Sequence, residues 1–216
     1  MKAHPLNRLI DVQPLRRRGL LLGVTGLMLP MMARAGAQVE EPLADSIRSA
    51  LSASIAQAAP PRPRFDDPDA RVAYLNWLGA MSERLKKRKT ETQIRIEFLE
   101  TVWYEAKRAG LEPSLVLGLV QVESGFRKYA ISTAGARGYM QVMPFWAKLI
   151  GDGDAARLFH MQTNLRFGCV ILRHYLDIEK GNMYLALGRY NGSRGKPEYP
   201  GLVFGARRQW LLPGQS

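Results

Sequence analysis

From Asp69 onward, apolar positions recur at helical spacing almost to the end of the chain. Val72, Leu75, Trp77, Leu78, Met81 and Leu85 form a first stripe, which runs into the basic cluster Arg84, Lys86, Lys87, Arg88 and Lys89. A solvated helix end, favoured by the negative pole of the helix dipole, is the simplest reading of that cluster. Thr92 to Ala109 predicts the next helix, with Ile94, Phe98, Val102 and Ala106 inward, Trp103 and Tyr104 as core residues and Gly110 as the stop. The helix predicted from Pro113 differs in kind. Leu115, Val116, Leu117, Leu119, Val120 and Val122 make it apolar almost all round, the pattern of a helix inside a core. Pro113 suits its first turn, and Gly125 falls where a left-handed residue ends many helices.

The later elements are more ordinary. Phe145–Ile150 reads as a short helix stopped by Gly151. Asn164–Lys180 places Leu165, Cys169, Leu172 and Leu176 on one face, so Cys169 reads as a small core residue. Gly168, which costs about 1 kcal/mol against Ala inside a helix, fits best where another backbone comes close. Gly181 stops that helix, Asn182 caps one ending at Tyr190, and Pro200–Trp210 closes the chain with Leu202, Val203, Ala206 and Trp210 inward. No strand ladder is expected beyond a possible hairpin between Ala130 and Tyr139. The fold class is therefore mostly α, a single globular domain packed around one buried helix.

The N-terminal third has another character. Arg16, Arg17 and Arg18 precede the uncharged, mostly apolar stretch Gly19–Met32, and Ala33-Arg34-Ala35 or Ala35-Gly36-Ala37 supplies small residues for cleavage. Residues 1–37 thus read as an export signal; the apolar stretch is shorter than the about 20 residues of a membrane span. Residues 38–65, rich in Ala, Ser and Pro, read as a poorly ordered tether, although Ile47, Leu51 and Ile55 could line one face of a short helix. Residues 66–91 form a helical extension and 92–212 the principal domain.

A composition of 46% hydrophobic and 23% charged residues is that of an ordinary globular protein, and the net charge of +12 favours polyanionic partners. Part of that charge lies in the leader. A lone cysteine excludes an intrachain disulfide and, far from the leader's end, leaves no lipid attachment site. The three histidines are scattered, and Asp152-Gly153-Asp154 lacks the remainder of a calcium loop; it reads as a turn and helix cap. No metal or cofactor is expected.

Against that background one residue is out of place. Glu123 lies three, four and seven positions from Val120, Leu119 and Val116, on a face that otherwise carries hydrocarbon. Burial and the helix's negative pole both disfavour its ionised form, and a carboxylic acid still protonated near neutral pH is what a general acid needs. Pairing with Arg127 or Lys128 at a frayed helix end is the alternative.

The residues that follow resemble a known family. Glu123-Ser124-Gly125-Phe126, Ala130-Ile131-Ser132 and Gly135-Ala136-Arg137-Gly138-Tyr139-Met140-Gln141-Val142-Met143-Pro144 are similar to the signature of the soluble lytic transglycosylases, peptidoglycan-cleaving enzymes with a goose-lysozyme-like fold. Asn164-Leu165-Arg166-Phe167-Gly168, running on to Tyr175-Leu176, and Arg189-Tyr190-Asn191-Gly192 resemble two further elements, in the family's order. The likeness covers roughly Thr92 to Trp210. It implies a single glutamate, Glu123, acting first as acid and then as base, so that the muramic acid C6 hydroxyl attacks C1 and leaves a 1,6-anhydro end. It also implies that Ser132 lies near the acid, that Gln141 and Met143 line the groove, and that Tyr190 faces the acid with Asn191 beside it. Each has a plainer reading as a turn, core or cap residue. Tyr139 and Arg189 depart from the family's usual leucine and alanine and put the groove's preference in question.

Most glycosidases need a second carboxylate. Between Ser114 and Asn191 only Asp152, Asp154, Asp177 and Glu179 are available, none in a setting like that of Glu123. The expectation is a periplasmic lytic transglycosylase, not a lipoprotein, with peptidoglycan strands as partner, no nucleic acid and no stable membrane insertion. A hydrolytic muramidase and an idle wall-binding scaffold are the alternatives; a basic polyanion binder is the weakest reading.

Overall fold

A computed structural model describes residues 38–56, 63 and 65–214; the export signal expected over 1–37 lies outside the described residues. The described chain carries eight α-helices and no strand: α1 Asp45–Ala56, α2 Pro68–Leu85, α3 Thr92–Arg108, α4 Pro113–Ser124, α5 Pro144–Ile150, α6 Met161–Ile178, α7 Met183–Asn191 and α8 Glu198–Arg207. Single 3-10 turns follow at Ala155–Phe159 and Arg208–Trp210. The possible hairpin is reduced to two antiparallel bridges, Ile131 with Arg137 and Arg137 with Val142.

The apolar helix is the axis of the fold. Pro113 opens α4, Gly125 closes it in the left-handed conformation, and Leu115 through Val120 are all buried. Its contact with α8 is close enough that a Cβ on Gly118 would sit 2.7 Å from the Arg207 backbone nitrogen. The close backbone approach expected at Gly168 thus occurs at Gly118 instead. At Gly168 an added Cβ would meet a side chain, with Met140 Sδ at 2.3 Å. That packing holds Met140 in the loop described below.

Some expected stripes are narrower than the sequence suggests. In α2 the inward residues are Tyr74, Trp77, Met81 and Leu85, whereas Val72 and Leu75 are 55% and 52% exposed. Asp67 caps the helix by accepting from the backbone of Asp69 and Ala70, so it starts at Pro68. α2 packs on α3, and one neighbour covers only one strip of a helix. Ile94, in the first turn of α3, and Leu202, in the second turn of α8, are likewise exposed, and Trp103 and Tyr104 are only half-buried. Asp154 caps the first 3-10 turn through the Ala156 N–H, as a turn-and-cap reading requires.

Within the stretch read as a tether, Asp45–Ala56 folds as α1. Leu51 and Ile55 pack against the core, but none of its residues is fully buried, and cavities of about 460 Å³ and 940 Å³ flank it. Its last carbonyls are taken by arginines: Arg108 donates to Ser54 O, and Arg166 Nη1 to Ile55 O at 3.3 Å. Both arginines are held by the fully buried Glu105, Arg166 through two bonds of 2.9 and 3.0 Å. Cations at a helix C-terminus oppose its dipole, and here they also fix where α1 sits.

Candidate active site

Glu123 occupies the last turn of α4 and is 5% exposed. Loss of solvent pushes its pKa from 4.5 up to about 8, against a smaller opposite effect from the Tyr199 hydroxyl. That hydroxyl, in the first turn of α8, donates to Glu123 Oε1 at 2.5 Å. Burial also raises the Tyr199 phenol well above its usual range, so Tyr199 keeps its proton and serves as the donor. The carboxyl proton then falls to Oε2, which is buried without a partner. The arrangement is one oriented oxygen and one transferable proton.

The loop after α4 wraps this end of the helix. Ser124 Oγ donates to Tyr139 O at 2.7 Å and ties the residue next to the acid to the loop. Met140 is gripped from several sides: its N–H donates to Asn164 Oδ1 at 2.8 Å, its carbonyl accepts from the Tyr190 hydroxyl at 2.8 Å, and its side chain fills the space left by Gly168. The other end of the Asn164 amide donates to Arg137 O and Leu158 O, both at 2.8 Å. Gln141, with a left-handed φ of 49° and 1% exposure, turns its amide inward onto Ala130 O and Gly138 O at 3.1 and 3.0 Å.

The residues expected at the site therefore fall into distinct positions. Ser132 closes the turn, its hydroxyl accepting from the Ala136 N–H at 3.1 Å. Gln141 staples the loop. Met143 is half-buried immediately before α5 and packs against the core. Tyr190, expected to face the acid, is fully buried and its hydroxyl goes to the Met140 carbonyl; the hydroxyl bonded to Glu123 is that of Tyr199. Asn191 Nδ2 donates to Ser193 Oγ at 2.9 Å, while its Oδ1 is buried and unpartnered. Sequence reasoning missed Tyr199. The available signal was its place four and seven positions before Val203 and Ala206, on the α8 face that meets α4.

The two departures also find partners. The Tyr139 hydroxyl accepts from Lys89 Nζ at 2.7 Å, and that ammonium lies 4.6 Å from the Tyr139 ring centre. Burial pushes the Tyr139 pKa up to about 12. Arg189 binds Glu179 through Nε and Glu41 through Nη1, and Arg194 shares Glu179.

Residues 100–200 match the transglycosylase SLT domain. A membrane-bound lytic murein transglycosylase C from Actinobacillus pleuropneumoniae is 34% identical over 151 residues, covering 57% of this chain and 41% of that protein. Its namesake from Mannheimia succiniciproducens is 47% identical over 98 residues, covering 42% and 26%. A transglycosylase of Enterobacteria phage PRD1 is 33% identical over 115 residues, covering 50% and 42%. The chain thus spans less than half the length of these relatives. Among solved structures, an inactive mutant of the lytic transglycosylase Slt from Pseudomonas aeruginosa is 28% identical, covering 68% of this chain and 24% of that one, at a TM-score of 0.41. Residues 100–200, which hold Glu123, its loop and the Tyr190 element, are thus similar to the transglycosylase SLT domain and to lytic murein transglycosylases.

Proposed function

We propose that this protein cleaves the β-1,4 bond between N-acetylmuramic acid and N-acetylglucosamine in peptidoglycan and leaves a 1,6-anhydro end. The observation that carries the reading is Glu123 itself, buried, protonated up to about pH 8, and with Oε2 free to give its proton away. That proton goes to the leaving glycosidic oxygen as positive charge develops at C1. The resulting carboxylate, still held through Oε1 by Tyr199, takes the proton of the C6 hydroxyl as that oxygen attacks C1. Because the nucleophile belongs to the same sugar, its effective concentration is high.

The four other acidic side chains between Ser114 and Asn191 are engaged elsewhere, which supports a one-carboxylate mechanism; Asp154 caps a 3-10 turn. Asp152 pairs with Arg157 and Asp177 with Arg173, both on the surface. Glu179 is held down at about pH 2, chiefly by Arg194 and then by Arg189. In this reading Tyr190 and Gln141 act through the loop, by fixing Met140 and the turn before it. Asn191 Oδ1 accepts from a sugar N–H or hydroxyl, and Ser132 and Met143 form the wall of the groove. The protein works in the cell envelope, in the periplasm, after its 1–37 leader is removed and without a lipid. No helix among the described residues is long and apolar enough to cross a membrane.

Digestion of sacculi in ¹⁸O-labelled water followed by mass spectrometry tests the reaction. Unlabelled 1,6-anhydro muropeptides are the expected product, absent with Glu123→Gln. Labelled reducing ends as the main product would make the enzyme a hydrolase. N-terminal sequencing of the exported protein, expected to begin after Ala35 or Ala37, tests the location.

A further inference from the structure

Residues 38–43, ahead of α1, run as a strap beside the site. Gln38 is 5% exposed; its Oε1 accepts from Trp146 Nε1 on α5 at 3.0 Å, and its amide reaches the Tyr190 phenol on α7. Three residues on, both carboxylate oxygens of Glu41 take Arg189 Nη1, at 2.9 and 3.3 Å. Three residues of chain reach at most about 10 Å, so the Glu41 contact lies near the Gln38 contact.

The two sides of the Glu41–Arg189 contact differ in how firmly they are held. Arg189 is fixed through Nε on Glu179, whose side chain is 5% exposed and is shared with Arg194. The strap is anchored at Gln38, at the half-buried Leu43 and beyond it through α1, and is loosest at Glu41. The Glu41 side chain is 46% exposed, so solvent screens its ion pair with Arg189. Gln38 makes one well-formed hydrogen bond, to Trp146, while its Nε2 meets the Tyr190 phenol only in poor geometry. α1, into which the strap continues, has no fully buried residue. A fixed cation beside the site is thus covered by a replaceable carboxylate.

We propose that Arg189 is a binding position for a free carboxylate of the peptidoglycan stem peptide, and that Glu41 fills it when substrate is absent. This rests on the peptidoglycan reading above. Glu41 is then an intramolecular competitor, and the affinity for an acidic stem peptide is reduced by the fraction of molecules in which the strap is seated. An ion pair of this exposure corresponds to about a two- to fivefold effect.

The test uses the full chain carrying Glu123→Gln, which binds glycan without cutting it, and calorimetry with soluble disaccharide-peptides whose stem carboxylates are either free or amidated. Adding Glu41→Gln, at an exposed position, should tighten binding of the free-carboxylate form about two- to fivefold and leave the amidated form unchanged. Adding Arg189→Ala should abolish both the preference for the free form and the effect of Glu41→Gln, while Arg189→Lys keeps part of the preference. If both ligands bind but neither substitution changes the preference, the Arg189 assignment is wrong and the peptidoglycan reading stands. If neither ligand binds, both fall together.

Discussion

Replacing Glu123 with Gln should make the protein more stable relative to the parent as pH rises. The folded pKa of about 8 lies above the ordinary carboxyl value of 4.5, so between those values the folded chain keeps a proton that the unfolded chain releases. Stability of the parent therefore falls by about 1.4 kcal/mol per pH unit across that window, and the part due to this group is intact only below pH 4.5. Gln has no proton to lose. Between about pH 5 and pH 7.5 the stability difference should move in favour of the variant by about 3 kcal/mol. A constant offset accompanies it, since the new amide puts an N–H₂ where Oε2 has no partner, at about 1–3 kcal/mol. The slope is thus the measurement, not the absolute value. Urea unfolding of both proteins in matched buffers gives it, because every other titrating group is common to the pair and cancels. A difference that stays flat over this range would mean that Glu123 is ionised in the folded protein, and the assignment of a buried acid would fail.

Tyr199→Phe removes the hydrogen bond that lowers the Glu123 pKa, so the alkaline limb of the activity profile, expected near pH 8, should move higher while maximal turnover drops; an unmoved limb would show that Tyr199 does not touch the acid in solution. Gly168→Ala should destabilise by about 1–3 kcal/mol and slow turnover, because its methyl displaces Met140 and with it the carbonyl held by Tyr190; denaturation and a rate assay check the two effects. Glu105→Ala leaves Arg166 buried at 7% exposure without its carboxylate and should cost about 3–5 kcal/mol, with faster hydrogen exchange in α1.

How much of this was legible beforehand follows from which interactions are local. The burial of Glu123 was legible because α4 is apolar almost all round, and one carboxylate in such a helix contradicts its surroundings. Cap and stop signals at Pro113, Gly125 and Asn182 also act within a few residues, and they placed helix ends closely. Tyr199 was not legible, because its partner is 76 residues away and is chosen by the crossing of α4 and α8. Tyr190 illustrates the same limit: its sequence element is recognisable, but whether its hydroxyl meets a carboxylate or the Met140 carbonyl depends on where the loop comes to rest. Val72 and Leu75 fit a helical period but face water, since periodicity does not reveal how many neighbours a helix will have.

The place of α8 in the chain has a consequence for assembly. α4 needs cover almost all round, yet its closest neighbour, set against Gly118, is α8, which follows every other described α-helix in the chain. A chain emerging from its N-terminal end therefore carries an uncovered apolar helix until Glu198–Arg207 is complete, and pairing so distant in sequence is slow to form. During that interval α4 is an aggregation hazard and a ready target for chaperones. A chain stopped before Glu198 should precipitate or bind hydrophobic dyes rather than persist as a slightly weakened fold. Glu123 also has no oriented carboxyl in such a chain, because Tyr199 arrives on the same helix that seals α4. A chain built in this order seals α4 and orients Glu123 in one late folding event.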